Sequence, residues 1–241
     1  MEQEHNWRAS GMIYNILHIL CEGQTEERFV KEVLSPYLQQ FNIYPKPILL
    51  LTSKKKNARG GMLSYAQAKR DLTILQKQYR DNNSEHHIFT TMFDYYALPD
   101  DFPGVKESTE IQNVRSRISF LENKFAEELG RCAFIPYIQL HEFEALLFVD
   151  IIRLQTEYPL SGERIRILKE ETDIYGDPEM INNSPDTAPS KRIIAALAQD
   201  YHYNKIQSGT AITSLIGMES LLDNCQHFKE WVEHIKKFSS Q

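Results

Sequence analysis

The chain has 241 residues, with 27 Lys or Arg against 33 Asp or Glu, so its formal net charge is −6. Hydrophobic residues make up 41% and charged residues 25%, which is ordinary for a globular protein. This composition excludes a disordered chain, a collagen-like repeat and a disulfide scaffold. It also argues against nucleic-acid binding by bulk positive charge, although a local basic patch remains compatible with it.

The cysteines, the apolar runs and the N-terminus indicate the cellular compartment. Cys21, Cys132 and Cys225 are far apart and form no CxxC pair, which is typical of a reducing cytosol and gives no support for a zinc site. No apolar run approaches the roughly 18 residues of a membrane span, and the N-terminus does not resemble a signal peptide. We therefore expect a cytoplasmic protein without a membrane anchor, in which residues 1–11 form a flexible tail.

Short β-rich runs alternate with amphipathic stretches over residues 12–150. Strands are predicted at 13–21, 47–52, 85–94 and 133–140. Helices are predicted from Thr25, which is a plausible N-cap, at about 63–80 and at about 109–130, and the stretch that follows residue 140 has helical composition. Such alternation predicts an α/β fold, with a mostly parallel, doubly wound sheet that carries helices on both faces.

Beyond residue 150 the β-rich runs stop. A loop rich in Pro, Asn, Asp and Gly is predicted at 175–189, followed by helices at about 190–200 and 221–238. Residues 151–241 therefore form a mainly helical region that packs on the core. This region is either a small appendage or a cap over the functional edge of the sheet.

Acidic residues follow the predicted strands where each strand ends. Glu22 follows the first strand, Asp94 ends the third, Glu142 and Glu144 follow the fourth, and Glu26 lies one helical turn beyond Glu22. Ligands of open parallel sheets bind outside the carboxyl ends of the strands. Carboxylates that are packed together repel one another unless a cation joins them, and hard oxygen ligands suit Mg²⁺ or Mn²⁺. The sequence therefore predicts a metal site formed by these carboxylates, although a single strand-end carboxylate is more often a helix cap or a solvated rim.

Two basic segments are candidates for binding phosphate. The first is the loop after the second strand, with Lys54, Lys55, Lys56 and Arg59, and it is either a solvated surface loop or a contact to a nucleic-acid backbone. The second is Lys191 and Arg192 at the start of a predicted helix, which is a potential anion site.

Five motifs, in this order, resemble the bacterial domain-of-unknown-function family 4276 over about residues 12–238. They are CEGQTEERFV, TTMFDYYALPDDFPG, PYIQLHEFEALLFVD, TAPSKR and CQHFKEWVEHI. This family in turn resembles the Toprim fold of topoisomerases, primases and overcoming-lysogenization-defect nucleases. The resemblance implies Mg²⁺-dependent chemistry on nucleic-acid phosphodiesters, in a bacterial and phage-defence setting, with an ATPase as a candidate protein partner.

The Toprim resemblance also assigns individual residues. Glu22 matches its first glutamate, Glu26 the second glutamate of the nucleases, and Asp94 the first Asp of its DxD pair, whereas Tyr96 stands where the second Asp is expected. The resemblance further implies a lysine near the scissile phosphate.

For this lysine Lys191 is the first candidate and Lys205 the second. Lys205 is therefore also a candidate contact to nucleic acid. A nuclease is accordingly the leading hypothesis. The first alternative is a non-catalytic subunit that binds a protein partner, which is favoured because Tyr96 stands where the Toprim pattern has an Asp. The second is a phosphatase with Asp94 as nucleophile, which Tyr96 disfavours because that chemistry also needs an Asp two residues on.

Overall fold

The computed structural model describes residues 13–50, 62, 64–130, 133–182 and 184–239. Within them the strands pair only in parallel, in the order β2-β1-β3-β4, and β5 also pairs with β3. The predicted parallel sheet is thus confirmed. The strands are β1 (Tyr14–Cys21), β2 (Ile43–Leu49), β3 (Glu85–Asp94), β4 (Phe134–Ile135) and β5 (Ile138–Gln139).

Helices surround this sheet and form most of the C-terminal region. A π-helical turn, Val30–Leu34, joins α1 to α2, and two 3₁₀ helices that are separated by a kink at Asp150, together Phe143–Thr156, follow β5. The α-helices are α1 (Gln24–Phe29), α2 (Ser35–Gln39), α3 (Tyr65–Gln78), α4 (Val105–Ser108), α5 (Val114–Leu129), α6 (Gly162–Thr172), α7 (Pro189–Leu197), α8 (Lys205–Ile216), α9 (Met218–Asn224) and α10 (Gln226–Phe238).

The two faces of the sheet support two separate cores. Along β1, Leu17 and Ile19 face a cluster that contains the apolar residues of α1, whereas Leu20 faces a second cluster that contains those of α3 and α5. Successive strand residues point to opposite faces, so the run of apolar residues in β1 supplies both cores. This confirms the prediction of helices on both faces.

The C-terminal region shares the first of these cores. Apolar residues of α7, α8 and α10 lie in the same buried cluster as Leu17. They include Ile193, Ile212, Phe228 and Trp231. The indole N–H of Trp231 also donates a hydrogen bond of 2.8 Å to Thr90 Oγ1 on β3. This region therefore packs directly on the sheet.

Two predicted strands differ from the observed ones because of prolines. β2 begins at Ile43 rather than at residue 47. It is an edge strand, and such a strand tolerates Pro45 and Pro47 because one of its sides needs no donors. The predicted strand 133–140 is divided into β4 and β5 at Pro136, and the Thr91 hydroxyl bridges the gap, accepting from Tyr137 N at 3.1 Å.

The helix predictions need four corrections. Gly23, not Thr25, precedes α1, and Thr25 is buried inside its first turn. The helix predicted from residue 109 begins at Val114, because the Asn113 side chain accepts a hydrogen bond from Ser116 N and caps it. The helix predicted at 221–238 is two helices that meet at Cys225. Helices α6 and α8 were not predicted.

No helix in the described ranges has both the length and the apolar character that a membrane crossing needs. Of the cysteines, Cys21 and Cys225 are buried and free, and Cys132 lies outside the described residues.

Candidate functional site

Carboxylates from adjacent parallel strands meet at the carboxyl edge of the sheet. Glu22 directly follows β1, and one of its carboxylate oxygens, Oε2, accepts a hydrogen bond of 3.1 Å from the backbone N–H of Asp94, the last residue of β3. Glu26, one turn into α1, is buried beside them. A Cβ atom at Gly23 would lie 3.1 Å from Glu26 Oε2, so this glycine leaves room for the carboxylate.

A tight turn after β5 brings a further carboxylate to the same edge. His141 has a left-handed backbone with φ of 63°, which is uncommon for a residue other than glycine and concentrates at functional sites. The chain then enters the 143–156 segment, in which Glu144 is completely buried. The three strand ends therefore contribute Glu22, Asp94 and Glu144, and α1 adds Glu26. We call these four residues the carboxylate cluster.

Lys205, the first residue of α8, places its ammonium group in this cluster. Lys205 Nζ lies 2.9 Å from Glu144 Oε2 and 3.8 Å from Asp94 Oδ2. The hydroxyl of Tyr203, two residues earlier, donates a hydrogen bond of 3.5 Å to Glu144 Oε1. Residues of the C-terminal region thus lie at the carboxyl edge of the sheet, and of the two lysine candidates Lys205 is the one at the carboxylates.

Three contacts hold the N-terminal part of α8, which carries Lys205, in place. The Asn204 side chain caps the helix by accepting from Gln207 N at 3.2 Å. The Tyr158 and Ser208 hydroxyls share a buried hydrogen bond of 2.5 Å. At Gly209 an added Cβ would lie only 3.1 Å from side-chain atoms of Thr25 and Phe143, so α8 approaches α1 and the 143–156 segment as closely as a glycine permits.

The pKa values of the four carboxyl groups in the cluster are raised, so the Lys205 ammonium does not offset the cost of ionising all of them. Burial raises the pKa of Glu22 and of Glu144 to about 7. Burial also raises the pKa of Glu26 and, together with the neighbouring carboxylates, that of Asp94. Burial would lower the pKa of Lys205, but the surrounding carboxylates outweigh it and raise the value. In the described part of the chain, a single ammonium therefore faces four carboxylates that are difficult to ionise.

The donor atoms of the cluster fit a hard divalent cation. Asp94 Oδ1 is buried and has no hydrogen-bond partner in the described part of the chain, so an acceptor oxygen is left for a ligand. Carboxylate oxygens are the donors that Mg²⁺ and Mn²⁺ prefer. Among the described residues no three acidic, histidine or cysteine side chains already surround one point as metal ligands, and Lys205 occupies the space between Asp94 and Glu144.

Glu142, the fifth predicted metal ligand, is engaged elsewhere. Its Oε1 accepts from Ser190 N at 2.5 Å, and its Oε2 accepts from the Ser190 hydroxyl at 3.0 Å. A carboxylate at the N-terminus of a helix is favoured by the unpaired N–H groups there. In this structure Glu142 anchors α7.

Apart from Lys205, the predicted phosphate-binding residues are on α7 or outside the described part of the chain. Lys191 is exposed on α7. Arg192 donates to Thr187 O at 2.8 Å and lies 5.8 Å from the ring centre of Tyr175. Their contact with nucleic acid stays a prediction. The basic loop lies outside the described residues, so the same holds for its members, Lys54, Lys55, Lys56 and Arg59.

Tyr96, which stands at the expected second Asp, has a structural contact of its own. Its backbone N–H donates to His141 O at 3.1 Å, and its ring lies 5.3 Å from the His141 ring. Burial raises the pKa of the Tyr96 hydroxyl to about 12, so this group stays neutral. Tyr203, by contrast, touches the cluster and was missed from the sequence, because it lies almost sixty residues beyond Glu144 and in no recognisable motif.

The family described as "Domain of unknown function (DUF4276)" matches residues 21–236. The chain belongs to this family. The matched residues include the whole carboxylate cluster and Lys205. No curated protein matches the chain.

Two solved structures resemble the fold. The C-terminal region of the Xanthomonas campestris pv. campestris OLD protein is 14% identical, with 92% of this chain and 94% of that chain covered and a TM-score of 0.39. The C-terminal region of the Burkholderia pseudomallei OLD protein is 13% identical, with 92% and 96% covered and a TM-score of 0.42.

Proposed function

We propose that this chain is a metal-dependent nuclease that cleaves nucleic-acid phosphodiesters at the carboxylate cluster. The observation that carries the proposal is the convergence of Glu22, Glu26, Asp94 and Glu144 with Lys205 at the carboxyl edge of a parallel sheet. Such an edge is where open α/β sheets bind their ligands. Three buried carboxylates and the half-buried Glu22, with one ammonium beside them among the described residues, add little stability to the fold but suit a cation site.

Mg²⁺ or Mn²⁺ is the proposed cofactor. Asp94 would hold it through Oδ1, which has no hydrogen-bond partner among the described residues, together with Glu22 and Glu26. Glu144 would add a further negative charge beside the metal. When bound, the metal supplies Lewis acidity towards a phosphoryl oxygen. We assign Glu142 to anchoring α7 rather than to the metal, because both of its oxygens accept hydrogen bonds from Ser190.

The remaining groups would act on the substrate. Lys205, at the N-terminus of α8, is our candidate for neutralising charge on the phosphate. Lys191 and Arg192 on α7 are proposed to contact the nucleic-acid backbone, as is the basic loop with Lys54, Lys55, Lys56 and Arg59. The family resemblance alone supports the wider proposed setting, a bacterial protein that acts in phage defence beside an ATPase partner. The proposed cytoplasmic location rests on the cysteine usage and the apolar pattern of the sequence.

The test is cleavage of plasmid DNA, single-stranded DNA and RNA by the purified chain with Mg²⁺ or Mn²⁺. Asp94→Asn keeps the size of the side chain but removes its charge, and we expect it to lower cleavage by at least about a hundredfold. Asp150→Asn is the matched control, because the Asp150 side chain is 38% exposed and pairs with Arg153 at 2.9 Å outside the cluster. Full activity of Asp94→Asn would reject the assignment.

One observation favours a second function. Tyr96 replaces the second Asp of the Toprim pattern and is held against His141, as would be expected of a degenerate subunit whose acidic edge binds a protein partner. In that case the purified chain would neither bind Mn²⁺ at the cluster nor cleave any of the three substrates.

A further inference from the structure

The position of Lys205 suggests a role that precedes any contact with substrate. Its ammonium lies 2.9 Å from Glu144 Oε2 and 3.8 Å from Asp94 Oδ2, among the carboxylates that we propose as the metal site. We infer that Lys205 is the internal counter-ion of the metal-free site, so that its ammonium group and a divalent cation compete for Glu144 and Asp94. The inference rests on the proposed metal-dependent function.

The two carboxylates are buried, whereas the lysine side chain is partly exposed. The side chain of Glu144 is completely buried and that of Asp94 is 11% exposed, but the Lys205 side chain is 41% exposed. A lysine stem has four rotatable bonds and carries a compact, strongly hydrated charge, so its head can turn into solvent. The partial exposure gives it a route out of the cluster.

The helix that carries Lys205 need not move when the ammonium leaves. The Asn204 cap, the Tyr158–Ser208 hydrogen bond and the close packing at Gly209 all involve other residues of the helix and its junction. Displacement is therefore a side-chain rotation rather than a rearrangement of the fold. The carboxylates remain in place with an acceptor, Asp94 Oδ1, already free of hydrogen bonds.

Competition has a thermodynamic consequence for metal affinity. A site whose ligands are partly neutralised by its own lysine binds a metal more weakly than the same carboxylates without it, since the cation must first displace the ammonium. Lys205 would stabilise the metal-free fold and weaken metal binding at the same time. The two effects are measurable separately.

The metal-free effect is tested by thermal unfolding in EDTA. Lys205→Met should lower the melting temperature by about 5 °C, because it leaves buried carboxylates without a counter-ion. Adding Glu144→Gln to Lys205→Met should recover at least half of this loss, since one repelling charge is removed. Lys169→Met is the matched control, because Lys169 is 43% exposed and pairs with Asp173 at 2.6 Å outside the cluster. If Lys205→Met lowers the melting temperature equally with and without the Glu144→Gln change, the counter-ion role is overturned.

The competition is tested by titrating Mn²⁺ into the same proteins in a calorimeter. Lys205→Met should bind Mn²⁺ at least about tenfold more tightly than the wild type, and Lys169→Met should match the wild type. If Lys205→Met folds poorly, Lys205→Gln keeps a polar group without the charge and should show the same direction.

The outcomes separate this inference from the proposed function. Wild-type binding with equal or weaker binding in Lys205→Met would overturn the inference and leave the metal site standing. No Mn²⁺ binding by either protein would reject the metal-dependent function itself, and the competition with it, whatever the unfolding experiment gives.

Discussion

Glu144→Gln should make the metal-free protein more stable at neutral and alkaline pH. Glu144 is completely buried, and burial raises its pKa from 4.5 to about 7 even though Lys205 opposes the change. The folded protein therefore binds more protons than the unfolded chain between these two values, and its stability falls as the pH rises through them. A raised pKa of this size corresponds to about 3 kcal/mol that is lost once the carboxylate is ionised.

Glutamine keeps the shape of the side chain and its acceptor for the Tyr203 hydroxyl but does not ionise. The variant should match the wild type at about pH 5 and exceed it by about 2–3 kcal/mol at about pH 8. Urea unfolding in EDTA at the two pH values measures the difference. Glu170→Gln, on an exposed residue of α6, is the control. If wild type and Glu144→Gln lose stability in parallel between the two pH values, the cluster does not carry the excess of negative charge on which the account depends.

Two further predictions concern the sheet and the packing of α8. His18 is buried and hydrogen-bonded to His87 at 3.1 Å, and burial lowers its pKa from 6.5 to about 4. The wild type should therefore lose about 3 kcal/mol of stability as the pH falls through this range, and His18→Phe should not lose it. Equal acid sensitivity of the two proteins in urea titrations would contradict this. Gly209→Leu should lower the free energy of unfolding by about 2 kcal/mol, because its side chain would meet Thr25 and Phe143, and an unchanged urea midpoint would show that α8 is not packed as described.

The sequence predicted best what depends on local pattern. β3 begins and ends where predicted, and β1 does so within one residue, because long apolar runs ended by polar residues indicate buried parallel strands. The convergence of Glu22 with Asp94 followed from topology, since adjacent parallel strands end at the same edge. Glu142 shows the limit of this reasoning. It stands at a strand end like the others but contacts Ser190, almost fifty residues away.

What the sequence did not predict depends on long-range packing. Helix α8 contains Gly209 and several β-branched or hydroxyl residues, which have low helix propensity, and its packing against α1 and the 143–156 segment stabilises it instead. Only this packing brings Lys205 to carboxylates that lie more than sixty residues earlier in the chain. The choice between Lys191 and Lys205 therefore needed the structure.

The central claim is that the carboxylate cluster holds a divalent cation. Calorimetric titration of Mn²⁺ into the wild type, Asp94→Asn and the control Asp150→Asn tests it most directly. We expect binding to the wild type and to Asp150→Asn, and loss of binding in Asp94→Asn, because Asp94 supplies a buried oxygen, Oδ1, that has no hydrogen-bond partner among the described residues. Absence of binding to the wild type, or undiminished binding to Asp94→Asn, would contradict the account.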